Sequence, residues 1–103
     1  DMVRIAGCRP DECPPDATAL DRAGGGLIYV TLFNDDRIIV VDPDSLSAIA
    51  RIDVGDGPHD IAFLLDETDR LRGYVTLFND NALAVLDLDP ASSTRFRNLA
   101  TVK

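Results

Sequence analysis

The sequence predicts an all-β fold assembled from antiparallel four-stranded units, and three observations predict it. The heptapeptide Tyr-Val-Thr-Leu-Phe-Asn-Asp stands at residues 29–35 and again, letter for letter, 45 residues later at 74–80. Short runs of β-branched, aliphatic and aromatic residues alternate with Asn-Asp, Asp-Pro and Gly turn signals. Acid is carried by 16 Asp and only two Glu, and Asp favours turns and caps where Glu favours helix interiors.

Each strand follows from its residues. Residues 61–65 precede the second heptapeptide and read as the first strand of a unit. Residues 17–20 are the counterpart before the first heptapeptide, because Pro14, Asp16 and Leu20 match Pro58, Asp60 and Leu64 at an offset of 44. Residues 27–33 and 73–78 form the second strands. Asn34, Asp35 and Asp36, or Asn79, Asp80 and Asn81, turn the chain as in a hairpin. Third strands follow at 38–42 and 82–87, turn clusters at 43–45 and 89–93, and fourth strands at 48–54 and 94–102. Residues 38–41 and 83–86 are apolar in succession rather than alternating, so both faces of these strands are buried under neighbouring sheets.

Four short strands per 45 residues, joined by polar turns, make the antiparallel meander of a β-propeller blade. A closed propeller needs about four to eight such blades. The 103 residues hold about two blades and a remnant, so the propeller is incomplete. Residues 1–26 read as a remnant of a preceding blade, carrying a Cys-containing loop and a first inner strand. Residues 27–57 are the rest of blade 1, and 58–103 are blade 2. The chain is expected to be a portion of a longer propeller, with the remaining blades or further copies of itself as partners.

A net charge of −8 without any basic cluster excludes a nucleic-acid partner. A 46% hydrophobic content and a mean hydropathy of +0.02 exclude a disordered tail. No apolar run approaches the roughly 18 residues of a membrane span. Cys8 and Cys13 lie five apart in a Pro-rich stretch. A local disulfide is the preferred reading, with two free thiols as the alternative. A disulfide points to a secreted, periplasmic or cell-surface location. A metal site is disfavoured, because His59 is the only His and lies far along the chain.

The heptapeptide, followed by Ile-Val-Val-Asp-Pro and then by Ile-Asp-Val-Gly-Asp-Gly-Pro-His-Asp-Ile-Ala-Phe, resembles the YVTN-type β-propeller repeat of secreted and surface-layer proteins. The resemblance covers residues 27–102 and departs from the usual pattern at Leu32, Leu77 and the charged loop 66–72. It implies a family of surface proteins, periplasmic binding proteins and some lactonase- or dehydrogenase-like enzymes. It also implies that Gly57, Pro58, His59 and Asp60 enter the innermost strand of a blade at the mouth of a central channel.

His59 beside Asp60 is a candidate general base with an orienting carboxylate. The plainer reading makes Pro58 and Asp60 turn residues and leaves His59 solvated. Asp16 and Asp60 recur at the 44-residue offset, as channel acids or turn residues would. The channel-mouth candidates are therefore His59, Asp60 and Asp16. The hairpin acids lack the alternating pattern of a calcium loop. The triglycine at 24–26 precedes a strand without the Lys-Ser or Lys-Thr of a phosphate loop. No Ser sits in G-x-S-x-G. No catalytic residue, metal or cofactor is assigned. The expected function is a non-catalytic extracytoplasmic module binding a protein, glycan or small ligand, or building a surface. The alternative is a lactonase- or dehydrogenase-like enzyme using the channel-mouth His and Asp.

Overall fold

A computed structural model of residues 1–103 contains eight strands and one short helix. The first sheet runs in the order β1 (Val3–Ala6), β2 (Leu27–Leu32), β3 (Arg37–Asp42), β4 (Ser47–Asp53). The second runs β5 (Pro58–Leu65), β6 (Leu71–Leu77), β7 (Ala82–Asp87), β8 (Arg97–Val102). Every neighbouring pair is antiparallel. The fold is all-β, two successive four-stranded meanders of blade form.

The heptapeptide fills the same place in both sheets, the second strand and the turn that leaves it. Tyr29 pairs with Val40, and Tyr74 pairs with Val85. The turns close alike, because Asp36 (φ 58°) and Asn81 (φ 50°) take the left-handed conformation that Asp and Asn tolerate best.

One expected strand is not a strand. Residues 17–20 enter helix α1 (Ala19–Gly24), and the first strand of sheet 1 is β1 instead. The cause is local. The Thr18 hydroxyl accepts from the Asp21 N–H, the Asp21 carboxylate accepts from the Thr18 N–H, and Gly25 (φ 67°) closes the C-terminus. That capping box and left-handed cap are a stronger signal than the scattered matches at an offset of 44. Twenty-seven residues separate Val3 from its partner Val30, against 14 between Ile61 and Val75. The 13 extra residues carry the Cys8–Cys13 loop and α1.

The sheets pack face to face. Alternate residues Tyr29, Thr31, Ile38 and Val40 of sheet 1 are buried against Ile61, Val75, Leu77, Ala84 and Leu86 of sheet 2. Tyr29 meets Phe63 with ring centroids 5.0 Å apart, and Phe63 stands opposite Gly73, whose missing side chain leaves space that Leu88 enters. The Thr31 hydroxyl accepts from the Met2 N–H at 2.9 Å within its own sheet and donates across the junction to the His59 carbonyl at 3.2 Å. At the other end Leu20 and Ala23 of α1 pack on the same core.

The Tyr29 hydroxyl is buried without a hydrogen-bond partner, and burial pushes its pKa up to about 12 against a smaller lowering by Arg95. Tyr29→Phe therefore leaves stability unchanged or raises it by up to about 1 kcal/mol, while Tyr29→Ala empties the junction and lowers it by about 3–5 kcal/mol. Urea unfolding of the two variants checks both values; a Phe variant as weak as the Ala variant would show that the hydroxyl has a partner.

Candidate functional site

The turns alternate between two ends of the sheets. The first end collects the start of β1, the β2–β3 and β6–β7 turns and the β4–β5 loop, with His59 and Asp60 entering β5. The second end collects the long β1–β2 connection, with the disulfide and α1, and the β3–β4, β5–β6 and β7–β8 loops. Asp16 lies at this second end, exposed in the turn before α1. The structure thus separates Asp16 from Asp60. The residue matching Asp60 in sheet 1 is Met2, because the Met2 N–H meets Thr31 as the Asp60 N–H meets Thr76.

At the first end three rings gather. His59 lies 6.5 Å from Phe78, and Phe78 lies 6.3 Å from Phe33, centroid to centroid. Phe78 is 71% exposed. A cleft of about 800 Å3 opens beside them, lined by His59, Thr76, Phe78, Asn81 and Leu83 among others. The Phe rings follow from the repeat, since the fifth letter of each heptapeptide leaves its strand at this end. Their proximity is a product of sheet stacking that no single-strand pattern displays.

Around the rings the acids are held by amide donors. Asp1 accepts from the Phe33 N–H, Asp36 from the Gly57 N–H, and Asp80 from the Asp56 N–H, while Asp56 accepts from the Asn79 side chain. Asp60 differs. Its carboxylate accepts from Arg4 Nε at 3.1 Å and from the Ile61 N–H at 2.8 Å, and the Arg4 bond is the main cause that lowers its pKa. His59 and Asp60 are neighbours in the chain, but that carboxylate orients Arg4, not the imidazole. No group of three or more His, Cys, Asp or Glu side chains is arranged to hold a metal ion.

Set against protein-family models and against curated proteins, the chain matches none.

The second end is built differently. Cys8 and Cys13 are joined in a disulfide and no Cys is free; closing so short a loop contributes about 2 kcal/mol on a chain-entropy estimate. The protein has no helix long and apolar enough to cross a membrane. Asp87, 1% exposed, organises the β7–β8 loop: its oxygens accept from Arg72 at 2.7 Å, the Asp89 N–H at 3.1 Å, and the Ser92 and Thr94 hydroxyls. Burial pushes its pKa up, yet these donors outweigh burial and hold it below the ordinary value. Asp66 is lowered from 3.8 to about 2, chiefly by the Thr68 hydroxyl and then by the Arg70 N–H. Asp42 repeats the Asp87 turn, accepting from the Asp44 N–H at 2.8 Å. The paired Asp residues of the sequence are turn organisers here.

Two outcomes follow. Gly57 sits at φ 76°, where an added Cβ would lie 3.0 Å from the Asn79 backbone nitrogen, so Gly57→Ala destabilises by about 1 kcal/mol or more, measured by thermal unfolding. Asp60, Asp66 and Asp87 have folded pKa values below the ordinary 3.8. Their contribution to stability is present above that value and is lost as pH falls through the lower folded values. Unfolding midpoints should therefore hold from neutrality to about pH 5 and drop between about pH 4 and 2. Asp66→Asn flattens part of that drop; an unchanged acid limb would remove Asp66 from the account.

Proposed function

We propose that the chain is a pair of β-propeller blades of the YVTN-repeat type, acting as a non-catalytic extracytoplasmic binding or surface module that takes its ligand at the His59 end. The observation that carries this reading is the identical heptapeptide in the second strand and following turn of two stacked four-stranded meanders. The disulfide supports an oxidising location.

The ligand seat is the cleft beside His59, Phe78 and Asn81. Aromatic faces within an acidic rim of Asp35, Asp36, Asp56 and Asp80 suit a cationic group carried by a protein, an amino-bearing glycan or a small molecule. The enzyme alternative would require an oriented imidazole. The Asp60 carboxylate is taken by Arg4 and Ile61, which weighs against it.

The test is a titration of the 15N-labelled chain with a short arginine- and lysine-rich peptide. Saturable shifts should begin at His59, Phe78 and Asn81, weaken with salt, and lose affinity about threefold or more in Phe78→Ala. Shifts centred on the disulfide end, or none that saturate, would overturn the assignment. Any turnover abolished by His59→Ala would favour the enzyme.

A further inference from the structure

On the blade-pair reading, we infer that the two outer sheet faces are the halves of a second junction, and that another copy of this chain docks there head to tail. The outer face of sheet 2 of one copy meets the outer face of sheet 1 of the next. Both faces are open and apolar over their first three strands, with Val3 57% and Ile5 65% exposed on sheet 1, and Leu64 and Val102 each 55% exposed on sheet 2; charge lies at their margins, Arg37, Arg51 and Asp53 on sheet 1 and Arg72 with Asp87 on sheet 2.

The repeat identifies what fits each face. A shift of 45 residues carries the junction face of sheet 1 onto the outer face of sheet 2, so that Tyr29, Thr31, Ile38 and Val40 become Tyr74, Thr76, Leu83 and Val85 in the same register. The same shift carries Val30 and Ile39 of the outer face of sheet 1 onto Val75 and Ala84 of the junction face of sheet 2. In the first strands the hydroxyl bonds set Met2 in place of Asp60, hence Arg4 in place of Ala62 and Ile5 in place of Phe63. The outer faces are therefore related to each other as the packed faces already are.

Two compensations mark them as a matched pair. At the existing junction Arg4 pairs with Asp60; at the second, Ala62 and Met2 stand in those places, so both charges are gone together and neither is left buried alone. At the existing junction Phe63 lies opposite Gly73 and meets Tyr29; at the second, Ile5 lies opposite Ile28 and would meet Tyr74. One large ring, with Leu88 filling the space over Gly73, is exchanged for two residues of middle size. Thr31 donates across the existing junction to the His59 carbonyl. Thr76 accepts from the Asp60 N–H in the same way, and its own hydrogen reaches only the Asp60 carbonyl at 3.5 Å. In the second junction it donates to the Asp1 carbonyl of the docked copy.

Such an interface is heterologous and closes into a ring if its rotation permits. A ring of about four to eight blades takes about two to four copies. Thr76 and Leu83 correspond to Thr31 and Ile38, which are fully buried at the existing junction, so the docked copy fills that part of the cleft and leaves the ligand seat at its rim, at His59, Phe78 and Asn81, with Asp1 of the docked copy beside it.

The test uses Ile5→Asp and Tyr74→Asp, each spoiling one outer face and leaving the other intact. Native mass spectrometry of the unaltered chain should give a discrete assembly of about two to four copies. Each variant alone should be monomeric. Mixed, they should form a one-to-one dimer about tenfold or more tighter than either self-association, and the double variant should join neither. Circular dichroism checks that the variants keep the β-sheet spectrum. A monomeric unaltered chain, variants that self-associate, or folded variants that do not pair would each overturn the docking. Folded variants that still bind the basic peptide without pairing overturn the docking alone, whereas pairing without peptide binding overturns the ligand seat alone.

Discussion

Everything else in the molecule depends on the face-to-face packing of the two sheets around Tyr29 and Thr31. A sheet of four short strands has one face too many to bury by itself, and the free energy that orders it must come from a second layer. The alternate residues of β2 and β3 supply that layer on one side, and those of β5, β6 and β7 on the other. Thr31 is the polar element of the contact. Its hydroxyl sits fully buried with a donor from its own sheet and an acceptor on the next, so the desolvation cost of the group is met on both counts. Because the acceptor is the His59 backbone, the same bond that registers the sheets fixes where β5 begins and leaves the imidazole exposed at the loop end.

Much of this was legible in the sequence. β2, β3, β6 and β7 carry long apolar or β-branched runs with Asn-Asp turns between them, and the repeat fixes their equivalence independently of any propensity. β1 was not legible, because four residues, Val-Arg-Ile-Ala, hold too little pattern and lie 20 residues from their partner strand. The 13 extra residues also shift the spacing between first and second strands, so at a constant offset Pro14, Asp16 and Leu20 fall against the wrong segment. Thr18-Ala19-Leu20-Asp21 carries the capping-box signal of a helix start, set in a composition that otherwise argues for loops.

The site divides in the same manner. The entry of His59 into a strand was implied by the family resemblance, and the turn roles of Asp42, Asp44, Asp87 and Asp89 followed from their Pro and Ser neighbours. The aromatic group of Phe33, His59 and Phe78 could not be inferred, since it brings together residues up to 45 apart through the stacking of separate sheets. Nor could the fate of the Asp60 carboxylate, which is decided by Arg4, 56 residues away.

The acids of the two ends differ in what positions them. At the disulfide end the acids face guanidinium groups: Arg9 with Asp11, Glu12 and Asp44, Arg70 with Asp89, Arg72 with Asp66 and Asp87. At the His59 end Asp1, Asp36 and Asp80 are positioned by backbone N–H groups, which orient a carboxylate without removing its charge. This end too has ion pairs, Arg4 with Asp60 and Arg37 with Asp53, but none on these three acids. On the proposed reading, turns that need Asp to accept amide hydrogens also supply the acidic rim beside the exposed rings.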